Sequence, residues 1–340
     1  MTRTTRMPRT TRMSLPSVLA VDAGNSKTDV ALIAADGTVL GTGRSGGFQP
    51  PRHGVEAAVD VLGQAVAEAV AAAGLPAAGP GSPYAARVSA CLANADLPVE
   101  ERRLADAIGA RGWGAATDVR NDTFAVLRAG VDEPRGVAVV CGAGINCVGM
   151  TPDGRTARFP ALGRISGDWG GGGGLAEEAL WCAARAEDGR GGATELARAL
   201  PAHLGHNSMA SLIEALHLGG VPHVRRHELT AVLFAVAAAG DPVALSLVHR
   251  QADEIVAMAS VALSRLGLLD EEVPVVLGGG VLAARHPQLN DRITTALTAL
   301  APRARITVIT APPVLGAGLL GLDAVGSPAG AHEKLRTHFG

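Results

Sequence analysis

The chain has 340 residues, of which 47% are hydrophobic, 3% aromatic and 18% charged, and its formal net charge is −2. This length is typical of about two domains, and the apolar content supplies a sizeable core. The charge argues against a nucleic-acid or membrane-surface partner, and four cysteines do not make a disulfide framework. No apolar run reaches the ~18 residues of a membrane span, and no signal peptide is evident, so we expect a cytoplasmic protein.

The first segment is basic and repetitive. Arg3-Thr-Thr-Arg-Met7 recurs as Arg9-Thr-Thr-Arg-Met13 without apolar periodicity. We predict a disordered arm over residues 1–16, or a true translation start downstream of the first methionine.

From Val18 onwards, strand and helix patterns alternate. The predicted strands of the first half are Val18–Val21, Asp29–Ala34, Thr38–Thr42, Ala86–Leu92 and Thr117–Arg120, and the predicted helices are Val55–Ala73, Val99–Gly109 and one that opens at Thr123. A polar break at 132–136 separates a predicted N-terminal domain, 17–131, from a C-terminal domain, 132–314. A last helix at about 315–340 is expected to pack back on the first domain.

The second half repeats the opening scheme of the first: strand, glycine-bearing turn, strand, polar turn, strand. The predicted strands are Val137–Val140, Cys147–Met150, Pro274–Leu277 and Ile306–Ile309, and the predicted helices lie at about 175–188, 194–201, 208–217, 227–239 and 242–266. This repetition predicts an α/β fold with two mixed sheets flanked by helices and a cleft between the two domains.

Two glycine-bearing turns at equivalent positions are candidates for phosphate binding. The first runs from Asp22 to Thr28, and the second is Cys141-Gly-Ala-Gly-Ile-Asn-Cys147. Successive backbone N–H groups in a tight turn can hold an anion, and a lysine or hydroxyl adds contacts. Either turn alone is equally typical of an ordinary hairpin, and neither matches a Walker loop or a dinucleotide fingerprint. As a pair facing each other across a cleft, they would suit a nucleoside triphosphate.

Three further segments have both a structural and a functional interpretation. Asp122 lies between a strand and a helix, where it is either an N-cap or a general base. Asp168 and Trp169 precede a glycine run that ends at Gly174. The run either permits hinge motion or is a plain linker. The side chains of Asp168 and Trp169 could orient a polar substrate. Gly278–Gly280 ends a strand and could seat a flat ring or ribose, or simply form a tight turn.

A zinc site or a cysteine-ligated cluster has little support in the sequence. Five histidines cluster without the spacing of a zinc motif and are expected in a polar lid; they are His203, His206, His217, His223 and His227. Cys141 and Cys147 are predicted to be buried thiols.

Five segments in this order resemble the phosphate, adenosine and connecting motifs of the actin/Hsp70/sugar-kinase superfamily: Val18–Leu32, Asn121–Thr123, Cys141–Cys147, Val276–Val281 and Val314–Gly318. Gly163-Arg-Ile-Ser-Gly-Asp-Trp-Gly170 and the Gly-Ile-Asn-Cys turn resemble the BadF/BadG/BcrA/BcrD ATPase family, in particular its N-acetylglucosamine kinase branch. The resemblance implies two ribonuclease-H-like (actin-like ATPase) domains closing on a sugar, with ATP and Mg²⁺. It also implies transfer of the γ-phosphoryl group to the 6-hydroxyl of N-acetylglucosamine or a related amino sugar.

The resemblance also implies roles for individual residues. Asp122 would be the base for the sugar hydroxyl, and Asp22 would hold Mg²⁺ through water. The residues implied to bind ATP are Gly24, Asn25, Ser26, Lys27, Thr28, Gly142, Ala143, Gly144, Gly278, Gly279 and Gly280. Those implied to bind the sugar are Gly47, Phe48, Gln49, Asn94, Asn121, Asp122, Asp168 and Trp169.

The chain departs from the family pattern at three places. Ala143 stands where the second turn has threonine, Trp169 stands where the family has glutamate, and a sugar-contacting asparagine is replaced near Gly47–Gln49. These changes leave the identity of the sugar open. Two other functions also stay open: an ATPase activator of a radical dehydratase, which needs a shared iron–sulfur cluster, and a sugar sensor without turnover. A homodimer is neither indicated nor excluded.

Overall fold

The computed structural model describes residues 17–76 and 83–340, so the predicted arm over 1–16 lies outside the described residues. The described chain divides into two units. Unit 1 contains residues 17–92, 102–119 and 318–340, and unit 2 contains residues 93–101 and 120–317. The boundary therefore differs from the predicted one at 131/132, because the helix that follows Asp122 packs on the first strands of unit 2.

Unit 1 contains a five-stranded sheet in the order β3-β2-β1-β4-β5. Its strands are β1 (Val18–Ala23), β2 (Thr28–Ile33), β3 (Val39–Ser45), β4 (Ala85–Leu92) and β5 (Gly114–Asn121), of which the last two residues of β5 belong to unit 2. β1 is antiparallel to β2 and parallel to β4. Every residue of β1 is buried, as its unbroken apolar run predicts for a central strand covered on both faces.

The helices that lie wholly or mostly in unit 1 are α1 (Pro50–His53), α2 (Val55–Ala72), α3 (Pro98–Gly109), α12 (Pro313–Ala324) and α13 (Ala329–Phe339). The first residues of α3, 98–101, and of α12, 313–317, belong to unit 2. α2 packs directly on the edge strand β3. A Cβ on Gly41 would overlap the Ala69 carbonyl, and one on Gly43 would overlap the Ala65 carbonyl. Backbone-to-backbone packing of this kind needs small residues, and it accounts for a core built with so few aromatic side chains.

Unit 2 contains a second five-stranded sheet, in the order β10-β9-β6-β7-β8. Its strands are β6 (Gly136–Cys141), β7 (Ile145–Met150), β8 (Thr156–Arg158), β9 (Val273–Gly278) and β10 (Ala304–Val308). β6 is antiparallel to β7 and parallel to β9. Counted from the first strand of each unit, both sheets have the order 3-2-1-4-5, which confirms the predicted duplication.

The helices of unit 2 are α4 (Thr123–Ala129), α5 (Gly171–Glu187), α6 (Leu196–His203), α7 (Met209–His217), α8 (Leu229–Ala238), α9 (Pro242–Leu266), α10 (Gly280–Ala283) and α11 (Pro287–Leu300). Asp241 caps α9 by accepting hydrogen bonds from Val243 N (3.0 Å) and Ala244 N (2.9 Å), with Pro242 in the first turn. α11 was absent from the sequence prediction. Its buried residues Leu289, Ile293 and Leu297 recur every four positions, which is the pattern that could have identified it.

Among residues 17–76 and 83–340, no single helix is both long and apolar enough to cross a membrane. One pair of segments, His223–Ala238 and Pro242–Leu266, meets the length and composition test only when taken together, and the two are bent by 112° relative to each other.

Candidate active site

The first candidate turn lies between β1 and β2 in unit 1. The strands pair as far as Ala23 and Thr28, and the Gly24 N–H donates to the Lys27 carbonyl at 2.9 Å. The tip residues Asn25, Ser26 and Lys27 are exposed. The turn therefore presents its tip to solvent while its base is held by the strand ladder.

Lys27 is already paired within unit 1. Its Nζ lies 2.9 Å from Asp29 Oδ2, and Arg44 Nε lies 2.6 Å from Asp29 Oδ1. Partial burial acts to raise the pKa of Asp29, but the hydrogen bonds from Arg44 and Lys27 outweigh it and hold that pKa below its ordinary value. The ammonium is thus fixed beside the turn by an ionised carboxylate, with about half of its side chain exposed.

Four residues that were predicted to contact ATP or the sugar hold this turn in position by hydrogen bonds or close packing. The Phe48 N–H donates to the Gly24 carbonyl at 2.9 Å, and Gln49 Nε2 donates to the Asn25 carbonyl at 2.8 Å. The Phe48 side chain is wholly buried, so its ring packs inside the protein, and its predicted contact with a sugar stays a prediction. Thr28 is also wholly buried, and its hydroxyl donates to the Gly46 carbonyl at 3.0 Å, so that hydroxyl holds the loop and is not free for phosphate. A Cβ on Gly47 would lie 2.8 Å from Asn25 C, a closer approach than any side chain permits.

Substitution at Gly47 tests this support. Gly47→Ala is expected to lower the free energy of unfolding by about 1–3 kcal/mol, because the new methyl group displaces the Asn25 peptide. Gly46→Ala is the matched control, since the nearest atom to its added Cβ is 4.0 Å away. Denaturant unfolding of both variants measures the difference, and equal losses would contradict a specific role for Gly47.

Asp22 is the carboxylate that the family resemblance implies for Mg²⁺. It is 8% exposed and is the last residue but one of β1, immediately before the turn. Among the described residues, no group of three or more His, Cys, Asp or Glu side chains could enclose a metal ion. Mg²⁺ is commonly bound by one or two carboxylates together with waters and substrate phosphates, so a single carboxylate beside a phosphate turn fits it.

The second candidate turn lies between β6 and β7 in unit 2. The Gly142 N–H donates to the Gly144 carbonyl at 2.9 Å, and Ala143 and Gly144 are exposed. No other atom lies within 4 Å of a Cβ built on Gly142 or Gly144, so the space beside the turn is open. The two turns thus occupy equivalent positions in their respective sheets but differ in length, with residues 24–27 between the paired strands of the first and 142–144 between those of the second.

The glycine run is part of α5 and not a linker, which corrects one of the two sequence interpretations. Gly171–Gly174 forms the first turn of α5. The N–H groups of Gly172 and Gly173 donate to the carbonyls of Gly142 (2.7 Å) and Ala143 (2.9 Å). A Cβ on Gly171 would lie 2.5 Å from Gly144 C, so only glycine lets this helix meet the turn.

Two side chains from neighbouring helices fix this junction. Gln251 of α9 is wholly buried, and its Oε1 accepts a hydrogen bond from Gly171 N at 2.8 Å. The Thr230 hydroxyl donates to the Gly172 carbonyl at 2.6 Å. Gln251 was missed by sequence reasoning, although a glutamine among the apolar residues of a core helix is a signal of a buried hydrogen bond.

The three glycines at the end of β9 have different surroundings. A Cβ on Gly278 would lie 2.6 Å from Val126 Cγ1, and one on Gly279 would lie 2.5 Å from Cys141 C. Gly280 has open space beside it and begins α10. Two of the glycines are therefore required for packing, and Gly280 is the one that could approach a nucleotide.

Asp122 is not a helix cap, although it occupies the N-cap position of α4. Its side chain makes no capping hydrogen bond. Asn121 takes that role, because its Oδ1 accepts from Thr123 N at 2.9 Å. The Asp122 carboxylate is half-buried, and burial raises its pKa to about 6 despite hydrogen bonding with Thr123.

Asp96 is a second carboxylate at this site that sequence reasoning missed. Its Oδ1 accepts from Asn121 Nδ2 at 2.8 Å. Burial, followed by the negative charges of Asp122 and Glu100, raises the pKa of Asp96 to about 7. Asp96 follows the end of β4, as Asp122 follows β5, so its position after a strand beside β1 was the available signal. The predicted residue Asn94 lies in the same loop with a left-handed backbone, φ 61°.

Asp168 and Trp169 are adjacent in the sequence, but their side chains have different surroundings. Asp168 is half-buried; its Oδ2 accepts from Ser166 Oγ (2.5 Å) and Gly163 N (3.1 Å), and its charge also raises the pKa of Asp96. Trp169 is 7% exposed and belongs to the core of unit 2, with the guanidinium carbon of Arg250 4.1 Å from its ring centroid. The indole ring is thus packed within the core of unit 2, and its predicted contact with a sugar stays a prediction.

The two cysteines that flank the second turn are buried, and two of the clustered histidines have partners within the protein. Cys141 and Cys147 are wholly buried, and burial raises the pKa of Cys141 to about 12 and that of Cys147 still further above its ordinary range. His203 is paired with Glu228 at 2.9 Å, and His206 is hydrogen-bonded to Ser211 at 3.0 Å. The buried thiols offer no exposed ligand pair of the kind a cluster shared between subunits requires.

The chain contains two mixed sheets of the same strand order, each with a glycine-bearing turn between its first two strands. This is the duplicated ribonuclease-H-like fold of the actin-like ATPases, as the resemblance implies. Solved structures share this fold. A candidate N-acetylglucosamine kinase from Chromobacterium violaceum superposes with a TM-score of 0.68 at 24% identity, over 91% of this chain and 99% of that one. A ROK family glucokinase from Streptomyces griseus, in complex with glucose and AMPPNP, gives a TM-score of 0.53 at 18% identity, over 91% and 98% of the two chains.

Residues 19–321 match the model of the BadF/BadG/BcrA/BcrD ATPase family, and the chain belongs to that family. One relative is the N-acetylmuramic acid/N-acetylglucosamine kinase of Clostridium acetobutylicum, 26% identical over 265 residues that cover 78% of this chain and 85% of the relative. Another is the N-acetyl-D-glucosamine kinase of Dictyostelium discoideum, 26% identical over 209 residues that cover 61% of this chain and 65% of that protein.

Proposed function

We propose that this protein is an ATP-dependent kinase of an amino sugar, N-acetylglucosamine or a close relative, and that it phosphorylates the 6-hydroxyl. The observation that carries the proposal is the state of Asp122: a half-buried carboxylate, released from helix capping by Asn121, with its pKa raised to about 6. A base with a pKa near the working pH is effective in proton transfer. The kinase names of the two relatives support the same reaction class.

In the proposed reaction, Asp122 accepts the proton of the sugar hydroxyl. The hydroxyl oxygen forms a bond to the γ-phosphorus of ATP, and the bond from that phosphorus to the β–γ bridging oxygen breaks. The products are the sugar phosphate and ADP, so atoms and charge balance. Positioning and electrostatics supply most of the catalysis in this reaction class, which matches a site built from turns and one base.

The turns and strand ends supply the nucleotide contacts in this proposal. The exposed tips of the two turns, Asn25–Lys27 and Ala143–Gly144, offer backbone N–H groups to phosphate oxygens. Mg²⁺, when bound, neutralises charge on the phosphates as they transfer, and Asp22 would hold it. Gly280 leaves room for the nucleoside, while Gly278 and Gly279 hold the strand end in place.

Asp168 is the proposed sugar-orienting carboxylate. Its Oδ2 is held by Ser166 and Gly163, which fixes the plane of the group. A carboxylate oriented in this way can accept a hydrogen bond from a sugar hydroxyl on its remaining lone pairs. Asp96, Asp122 and Asp168 interact electrostatically within unit 2, so the proposed base and the proposed sugar ligand belong to one charged cluster.

The test is ATP consumption with Mg²⁺ across glucosamine, N-acetylglucosamine, N-acetylmannosamine, N-acetylmuramic acid and glucose, with product masses measured. We expect turnover on an acetylated amino sugar and a mass gain of one phosphate. A 6-deoxy analogue of the best substrate should bind without turnover, which tests the position of transfer. ATP binding without turnover on any of these sugars would contradict the proposal and favour a sensor.

The pH profile should follow the ionisation of Asp122. Because the proposed base must be a carboxylate, kcat/KM should be level above pH ~7 and fall about tenfold per pH unit below the pKa of about 6. The ordinary aspartate pKa of about 3.9 would place that fall two units lower. A rate that stays constant down to pH 5 would contradict the assignment of Asp122.

A further inference from the structure

One buried amide connects three segments of unit 2. Asn121 is 3% exposed, and its side chain has partners on both ends. Its Oδ1 accepts from Thr123 N at 2.9 Å and from Asn146 Nδ2 at 3.1 Å. Its Nδ2 donates to Asp96 Oδ1 at 2.8 Å. The amide therefore joins the loop after β4, the junction of β5 and α4, and the first residues of β7.

The partners of this amide determine its orientation. The Thr123 N–H can only donate, so it must face the amide oxygen, and this leaves the amide NH₂ group to face Asp96. Rotation of the amide by half a turn would place its oxygen against the Asp96 carboxylate and its NH₂ group against the Thr123 N–H. Asn121 and Thr123 flank Asp122 on either side, so the orientation of this one amide determines the backbone position of Asp122.

The loop that carries Asp96 is held by contacts within unit 2. Glu100 Oε2 accepts from Asp96 N at 3.1 Å and from Leu97 N at 2.9 Å. Arg158 Nη1 donates to Glu101 Oε2 at 2.9 Å, and its Nη2 lies 3.4 Å from the Asp96 carbonyl. The Arg158 guanidinium also lies over the ring of Phe124, 5.7 Å from its centroid, in the first turn of α4. These contacts fix the loop against the helix that follows Asp122.

We infer that Asp96 is a positioning residue for the proposed phosphoryl transfer, which acts by fixing the Asn121 amide and thereby the base Asp122. The inference rests on the proposed function. The oxygen of the same amide accepts a hydrogen bond from Asn146 Nδ2, and Asn146 lies two residues after the Gly142–Gly144 turn. Asp96 thus also determines how the base is placed relative to the second phosphate turn.

A donor–acceptor exchange tests this bond directly. Asp96→Ala removes the acceptor and should lower kcat by ~10–100-fold with the KM for ATP changed less than about twofold. Asp96→Asn keeps an acceptor oxygen and should retain most of kcat. Asn121→Asp sets two carboxylates against each other and should lower kcat at least as much as Asp96→Ala. Combining Asn121→Asp with Asp96→Asn restores one donor and one acceptor in reversed positions, and kcat should recover to within about fivefold of the wild type.

Glu101→Gln is the matched control. It breaks the ion pair with Arg158 that anchors the same loop and leaves the Asn121 bond intact, so kcat should stay within about twofold. Thermal unfolding of each variant shows whether it is folded. If Asp96→Ala fails to fold, the inference is tested by the kcat of the exchanged pair, Asn121→Asp with Asp96→Asn, because these substitutions hardly change the side-chain volumes.

The outcomes separate the two proposals. A wild type without sugar-dependent turnover would overturn the proposed function and this inference together. A wild type with turnover, in which Asp96→Ala keeps kcat or the exchanged pair does not recover, would overturn the inference only. An equal loss in Glu101→Gln would also overturn it, because the loop as a whole and not the Asp96–Asn121 bond would then set the rate.

Discussion

Asp122→Asn is expected to lower kcat by ~10²–10⁴-fold while ATP still binds. The substitution keeps the shape of the side chain and removes its negative charge, and with it the capacity to accept a proton. Binding of ATP, measured by calorimetry or by a fluorescent analogue, should change less than about twofold, because the loss affects the transition state and not the ground state. A variant that retains a tenth or more of the wild-type kcat would contradict the role of Asp122 as the base.

Stability gives an independent control for this variant. A raised pKa means that folding disfavours the ionised form of Asp122, so at pH 7.5 the carboxylate costs stability that an amide does not. Asp122→Asn should therefore unfold at the same or a higher temperature. Asp253→Asn makes the same chemical change at the exposed ion pair with Arg292 and should leave kcat unaltered.

Gly171→Ala is expected to damage the second phosphate turn. The residue has φ 72°, a left-handed conformation, and the added Cβ would lie 2.5 Å from Gly144 C. The strain and the overlap together should lower the free energy of unfolding by ~2 kcal/mol or more. Displacing the turn should also raise the KM for ATP by about 10–100-fold, the effect of losing one hydrogen bond to a charged phosphate.

Gly174→Ala, three residues further along the same helix, is the matched control. Nothing lies within 4 Å of its added Cβ, and its backbone is helical. Alanine there should leave the KM for ATP unchanged and stabilise the helix by up to about 1 kcal/mol. If both variants bind ATP equally, the contact between α5 and the turn has no part in nucleotide binding.

The sheets could be predicted because their signals are local and strong. The buried strand β1 and the turns after β1 and β6 stand out as apolar runs that end in glycine and polar residues. The repetition of these signals gave the duplicated topology. The domain boundary at 131/132 differs from the boundary of the units because α4 is buried on all its residues and packs on β6, a long-range contact that no local pattern reports.

The sequence could propose residues for the candidate site but not their contacts. Asp122 and both turns were proposed from their positions at strand ends. The partners Asp96, Asn146 and Gln251 act across 25, 25 and 80 residues of chain, and nothing local marks such distant bonds. Phe48 was assigned to the sugar because it lies near a sugar-contacting position of the family pattern, and Trp169 because an indole ring can pack on a sugar. The burial of both rings in the structure could not be derived from the sequence.

The junction of α5 with the second turn affects the turn's own hydrogen-bond donors. Gly172 and Gly173 donate to the carbonyls of Gly142 and Ala143, and the N–H groups of those same two peptide units are those of Ala143 and Gly144. Each peptide that accepts a bond at its oxygen is polarised and becomes a stronger donor at its nitrogen. If the turn holds an anion as proposed, the positive end of the helix acts on that anion through two intervening amides and not by direct contact. Fraying of α5 would weaken those donors even if the shape of the turn did not change.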